Sequence, residues 1–138
     1  MHSHLQSPRE VVAFYYQQVW AERRPELIPS LFADGYSNHA GARGTLSGPS
    51  GIENNYHATL SAFPDVEMRV EKLLAEGEFV TAHYLMLGSH QGDFQGISAT
   101  GSAINVPGIG IYRVQNGQIQ ESWVVRDSLL LLRQLGAA

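Results

Sequence analysis

Proton transfer at carbon needs a group that takes the proton, groups that hold the resulting oxyanion, and a dry place for both. Few side chains in this sequence suit that work. Asp127 lies in the stretch Gly117 to Gly136, GQIQESWVVRDSLLLLRQLG, which reads as a turn, a strand and an apolar helix. A carboxylate in an apolar site is driven toward its neutral form, so one aspartate can act first as base and then as acid. Trp123, Val125 and Val106 are positioned to supply its apolar wall. Asn38 and His39 follow an Asp34-Gly35 turn, and either can hydrogen-bond a carbonyl or an enolate. Strand-like alternation turns one of the two inward, and His39 is the choice. His90 shares a strand face with Tyr84 and Met86. Tyr15, Tyr16 and Phe63 complete the candidate substrate contacts.

Each of these residues also has a plainer role. Asp127 precedes Ser128-Leu129-Leu130-Leu131-Leu132, and aspartate is a favoured helix N-cap. A carboxylate that accepts backbone N–H bonds has a lowered pKa and is a poorer base. Asn38 and His39 can satisfy local backbone groups. His90 can sit at a cavity rim, His83 falls on the opposite strand face, and Tyr15, Tyr16 and Trp20 suit a core. Glu121 reads as structural, and Arg126 is out of phase with Asp127. His39, His90 and Asp127 could converge, but no HxH or HExxH spacing exists, so no metal site is expected. The sequence has no GxSxG elbow and no P-loop pattern, which argues against a serine triad and nucleotide binding.

The elements that must position these groups follow from periodicity. Ser7-Pro8-Arg9-Glu10 is a capping box, and Val12, Tyr15, Tyr16, Val19 and Trp20 recur at helical spacing behind it. A short helix is expected over Glu26 to Phe32, a Gly/Ser/Pro loop over 41–51, and a helix from a second capping box at Ser50 to Phe63. Strands follow at Val66–Glu71, Phe79–His90 and Ile104–Val114, with a loop over 91–101. Asn116-Gly117 is a two-residue type I′ turn. An unbroken register from that turn sets Val114 against Ile119, Tyr112 against Glu121, Gly110 against Trp123, Gly108 against Val125 and Val106 against Asp127. A bulge would break the count. The two glycines leave space above the sheet, a candidate pocket with Asp127 at its end. Pro107 suggests an edge strand or a bulge.

Composition bounds the rest. One domain over residues 1–138 is expected, with 43% hydrophobic residues and a net charge of −4. No basic run exists, so nucleic acid is not an expected partner. No apolar stretch approaches ~18 residues, so no membrane span is expected. MHSHLQSPRE has no apolar core of a signal peptide, and cysteine is absent, which together fit the cytoplasm.

This order of elements resembles the SnoaL-like polyketide cyclase family, part of the nuclear-transport-factor-2-like superfamily with ketosteroid isomerase and limonene epoxide hydrolase. The residues that carry the resemblance are Phe32-Ala33-Asp34 with Asn38-His39, Phe63-Pro64-Asp65, Ala75-Glu76-Gly77, Gly88 through Ile97, Thr100-Gly101, and Gly117 through Trp123 with Asp127. The resemblance implies an α+β fold: a cone-shaped, bent, mostly antiparallel sheet with N-terminal helices on its concave face and a short C-terminal helix. It implies intramolecular aldol closure of an aromatic polyketide methyl ester, without metal or cofactor. It implies that Asp127 is the general acid/base, that Asn38 and His39 line the cavity, and that His90 stands near its mouth. The glycine-rich stretch from Gly41 to Pro49 departs from the family pattern.

The expected function is therefore a cofactor-free cyclase, or a related acid/base enzyme, acting on a polyketide-like apolar substrate. The alternatives are a non-enzymatic binding or assembly module on the same fold, and an epoxide hydrolase or isomerase. A homodimer or tetramer is expected, because the sheet face away from the helices, with Leu85, Leu87, Ile109 or Ile111, needs cover.

Overall fold

The computed structural model describes residues 7–39 and 45–138. The first capping box forms as expected. Ser7 Oγ accepts from the Glu10 N–H and Glu10 Oε1 accepts from the Ser7 N–H, both at 3.1 Å. Helix α1, Pro8–Phe14, then widens into a π-helical stretch, Tyr15–Ala21. In such a stretch residues five apart lie one above the other. Trp20 Nε1 accordingly donates to the Tyr15 hydroxyl at 3.0 Å. Val12, Tyr15, Tyr16, Val19 and Trp20 are all buried, so the helical periodicity marks the right face.

The next stretch differs from expectation. A 3₁₀ turn, Pro25–Leu27, leads into α2, Ile28–Leu31, and Phe32 already has extended backbone. Strand β1, Phe32–His39, takes in the expected Asp34-Gly35 turn. The reason is a register jump: β1 pairs in parallel with the last strand, Phe32 with Ile119 and then Ser37 with Glu121. The intervening residues are accommodated as a bulge, with Asp34 and Gly35 exposed, rather than as a chain reversal. Part of the expected 41–51 loop lies outside the described residues. Within it, Thr45–Ser47 forms β2 against β1, and α3 runs Ser50–Ala62. The second capping box does not form. Pro49 is the N-cap without a side-chain bond, and Ser50 is already helical. The helix stops before Phe63-Pro64, as proline requires.

Strands β3 (Glu67–Glu76), β4 (Phe79–Ser89), β5 (Ala103–Gln115) and β6 (Gln118–Arg126) form an antiparallel meander, and α4 (Ser128–Gln134) ends it. The sheet has the order β2-β1-β6-β5-β4-β3, and only the β1–β6 pairing is parallel. Alternate residues of β4 and β5 are buried against α1 and its π-helical extension, including Val80, Ala82, Tyr84 and Met86, then Ile104, Val106 and Tyr112. The architecture is the expected α+β one.

Two expectations about this sheet are corrected. Asn116-Gly117 turns with positive φ at both positions, and Val114 does face Ile119. Past that pair an extra residue, Gln120, enters β6. Arg113 then faces Glu121, Ile111 faces Trp123, Gly110 faces Val124 and Gly108 faces Arg126. The bulge reverses the phase of the rest of the strand. Pro107, in turn, marks neither an edge nor a bulge in β5. The β4–β5 ladder is unbroken from Ala103 to Arg113. The Pro107 carbonyl accepts from Asp127 N–H at 3.1 Å, just where β6 leaves the sheet, so its missing donor falls at the end of the ladder. Among the described residues no helix is long and apolar enough to cross a membrane.

Candidate functional site

Between the helices and the sheet lies a cavity of about 490 Å³. Tyr15, Tyr16 and Trp20 line it from the π-helical stretch, and Phe32, Tyr36 and Asn38 from β1. Ile52 and Thr59 of α3 and Met68 of β3 form another wall. Tyr84, Tyr112, Ser122, Val124 and Arg126 project from β4, β5 and β6. The π-helical turn explains why neighbours Tyr15 and Tyr16 reach the same space. The Gln120 bulge explains why Ser122, Val124 and Arg126 face it.

Most polar groups in the wall hold one another. The Tyr16 and Tyr112 hydroxyls are 2.6 Å apart, and Tyr36 and Ser122 share a 2.5 Å bond. Burial pushes the Tyr36 phenol up to about 12, opposed by the Ser122 bond. Burial also raises Tyr15, Tyr16, Tyr84 and Tyr112, so the phenols stay protonated and act as donors rather than bases. Asn38, Tyr84 and Arg126 are among the lining groups that the described residues leave uncommitted. Asn38 Oδ1 is buried without a hydrogen-bond partner among the described residues. The Tyr84 hydroxyl has none there either, and Arg126 meets no carboxylate among the described residues. Its contacts are Met86 Sδ at 3.8 Å and the Phe94 ring at 5.8 Å.

Of the residues expected at the site, Tyr15, Tyr16 and Asn38 line the cavity. His39 and Trp123 do not. The phase reversal puts Trp123, 37% exposed, on the face away from the helices. There the His39 ring stacks on it at 4.8 Å and 16°. His39 Nε2 also meets Glu121 Oε1 at 2.9 Å, while Arg113 Nε donates to Glu121 Oε2 at 2.6 Å. Arg113, and then His39, hold the Glu121 carboxyl below the usual glutamate range. The inward choice between Asn38 and His39 is thus corrected in favour of Asn38.

Asp127 caps α4. Its Oδ1 accepts from the Leu130 N–H at 3.0 Å and the side chain is exposed, so the expected placement inside an apolar pocket is corrected. Arg126 and Ser128, on either side of it, both line the cavity. The space expected over Gly108 and Gly110 is occupied by tyrosines. A Cβ on Gly108 would collide with the Tyr84 ring, and one on Gly110 would come within 3.0 Å of Tyr112 Cε1. Val106 and Phe63 are buried in the core outside the lining. His90 is fully buried rather than at a rim, because Thr100 of the following loop closes over it. Its Nδ1 accepts from the Thr100 N–H at 3.2 Å and Phe63 lies 5.5 Å away. Among the described residues, no group of three or more His, Asp or Glu side chains is arranged to hold a metal.

Sequence reasoning missed Tyr36, Tyr84, Tyr112, Ser122, Val124 and Arg126 as cavity groups. One signal was available. An unbroken hairpin register sets Glu121 against buried Tyr112 on the core face, and an unpaired carboxylate does not stay there. A bulge before residue 121 relieves this and turns Ser122, Val124 and Arg126 inward.

The fold is α+β, with an aromatic cavity between its helices and its sheet. Residues 10–135 match the SnoaL-like polyketide cyclase family model, and the chain belongs to that family. No curated protein matches it. Among solved structures it is similar to IdmH of Streptomyces antibioticus, a candidate polyketide cyclase. Identity there is 24% over 95% of this chain and 99% of that one, with a TM-score of 0.85. A candidate SnoaL-like polyketide cyclase of Jannaschia sp. CCS1 is 20% identical over 95% and 92% of the two chains, with a TM-score of 0.86. AclR of Streptomyces galilaeus, a candidate hydroxylase, is 22% identical over 94% and 82%, with a TM-score of 0.84. These likenesses establish the fold. A fold shared by candidate cyclases and a candidate hydroxylase does not choose the reaction.

Proposed function

We propose that this chain is a cofactor-free acid/base enzyme that takes a polyketide-like apolar molecule into the cavity and closes a ring by intramolecular aldol condensation. The observation that carries this reading is the aromatic cavity of about 490 Å³, in which the Tyr15 hydroxyl, an acceptor from Trp20 Nε1, keeps its own O–H to donate to a developing oxyanion. In the reaction, a base removes a proton alpha to a carbonyl. The enolate carbon attacks a second carbonyl, forming the new C–C bond. The alkoxide then takes the proton back. Asp127 is the proton carrier in this proposal. It stands between two lining residues, and its cap engages Oδ1. Asn38 orients the substrate.

A second reading, ligand binding without turnover, is favoured by one specific observation. The described residues that line the cavity include no aspartate, glutamate or histidine. Asp127→Asn separates the two readings, because asparagine caps a helix about as well as aspartate does. The enzyme reading expects turnover of an aromatic polyketide ester to fall roughly 100-fold or more, with ligand affinity and melting temperature retained. Unchanged turnover would remove Asp127 from the mechanism. A wild-type protein that binds such esters without converting them would favour the binding module.

A homodimer through the outer face of the sheet belongs to the same proposal. Leu74, Ile109, Ile111, Trp123 and Val125 are exposed on that face.

A further inference from the structure

We infer that the cavity's ligand carries a free carboxylate, held by the Arg126 guanidinium and the Tyr84 hydroxyl, with a hydroxyl donor at its far end for Asn38. The inference rests on the cavity being the ligand site, and it replaces the neutral ester that the family resemblance implies with an acid.

Two arginines among the described residues are half-buried, Arg113 and Arg126. Arg113 is held by carboxylates, Glu121 at 2.6 Å and Glu78 at 3.7 Å. Among the described residues Arg126, which lines the cavity, makes its side-chain contacts with a thioether and an aromatic ring. A half-buried guanidinium without a counter-charge attracts an anion, and a carboxylate answers it with two parallel hydrogen bonds. The backbone is arranged around this point. Tyr84, Gly108 and Arg126 form one row across β4, β5 and β6. Gly108 has no side chain, and the Tyr84 ring lies over it, so closely that a Cβ there would collide with the ring and hydroxyl. The phenol head therefore lies across the glycine, on the Arg126 side of its own strand. The Arg126 charge pulls the Tyr84 phenol down against the larger effect of burial. A neutral phenol and a guanidinium in one row make a donor set for a single anionic group.

The opposite end of the ligand follows from the ladder. Asn38 pairs with Ser122, four residues before Arg126 on β6. At about 3.3 Å per residue the two ends lie roughly 13 Å apart at Cα, less the reach of the side chains. Asn38 Oδ1 is a buried acceptor without a partner among the described residues, so it calls for a donor on the ligand. Two fused rings with an acid at one end and a hydroxyl at the other span that gap.

The test uses 6-hydroxy-2-naphthoate and its methyl ester, titrated by fluorescence against the full chain. Wild type is expected to bind the acid at least tenfold more tightly than the ester. Arg126→Gln should weaken the acid about tenfold, leave the ester within twofold, and erase the preference. Arg126→Lys should retain part of it, and Tyr84→Phe should weaken the acid several-fold. Arg69→Gln, an exposed cation on β3 outside the lining, should change neither affinity. Melting curves confirm that each variant is folded. If the ester binds as tightly as the acid, or Arg126→Gln weakens both alike, the carboxylate subsite is wrong while the cavity remains a ligand site. If neither compound binds wild type, the cavity reading fails and the inference with it.

Discussion

Asp127 stands exposed at the N-terminus of α4, where its Oδ1 accepts from the Leu130 N–H. Both roles, proton carrier and helix cap, are legible in Asp-Ser-Leu-Leu-Leu-Leu, and only the direction of the carboxylate separates them. The cap bond to Leu130 gives a stability prediction independent of catalysis. Asp127→Ala should cost about 1 kcal/mol in a urea titration, and Asp127→Asn a few tenths at most. Equal losses would mean that the cap contributes nothing to α4. Two other carboxylates predict the acid limb of stability. Asp65 accepts from the Ser89 hydroxyl at 2.7 Å and the Ser89 N–H at 2.8 Å, and these bonds lower its pKa. Glu121 is lowered by Arg113 and His39. A carboxylate with a depressed folded pKa stabilises above its unfolded value, and loses that contribution as pH falls through the folded one. Stability should therefore decline as pH falls below about 4, and Glu121→Gln should make that decline shallower in chemical denaturation at a series of pH values. An acid limb identical to wild type would show that the Arg113–Glu121–His39 cluster is energetically silent.

At the scale of elements, what is legible is what depends on local pattern. The Ser7 box, the buried tyrosines at helical spacing, the alternation in β4 and the Asn116-Gly117 turn all need only neighbours in sequence. What is not legible depends on a partner strand. The parallel pairing of β1 with β6 makes a strand of Asp34 to His39, where polar Asp-Gly reads as a turn. Gln120 adds one residue to β6 and moves Trp123 and Val125, expected in the apolar wall around Asp127, to the far face. Both changed position for this reason, since side chains alternate with period two and one insertion reverses all that follow. The row Tyr84–Gly108–Arg126 yields a prediction at this scale. Gly108→Ala should cost about 1–3 kcal/mol, since the methyl group overlaps the Tyr84 ring and the ring must move. Gly117→Ala costs stability through its positive φ but leaves the cavity untouched. Ligand affinity should therefore fall for Gly108→Ala and hold for Gly117→Ala, measured on protein that melts cooperatively. Equal affinities for both would mean that Tyr84 can leave its row without consequence.

For the molecule as a whole, the sheet has two unlike faces, and among the described residues helices cover only one. Toward the helices lie the core and the cavity. Away from them the ladder aligns Leu74, Thr81, Ile111 and Trp123 in one row, and Lys72, His83, Ile109 and Val125 in the next. Leu74 is 63% exposed and Val125 67%. Thr81, Ile111 and Trp123, with Phe79 and Glu76, border a shallow open depression of about 640 Å³. Apolar side chains this contiguous on a sheet face mark an interaction surface. A second copy is the partner that needs no further assumption, because a two-fold axis sets the same patch against itself. A stable dimer buries about 800 Å² on each side, an area that a face of four antiparallel strands can supply. Light scattering should therefore give twice the 15.2 kDa of one chain at micromolar concentration. Ile111→Glu puts a carboxylate in the middle of the patch, where the dimer would bury it unpaired, and should return the mass to that of one chain. The cavity opens on the other face, so the variant should keep its ligand affinity. A wild-type monomer at tens of micromolar would leave this face uncovered and overturn the dimer. A dimer that survives Ile111→Glu would move the interface to a different surface, away from the Trp123–His39 stack.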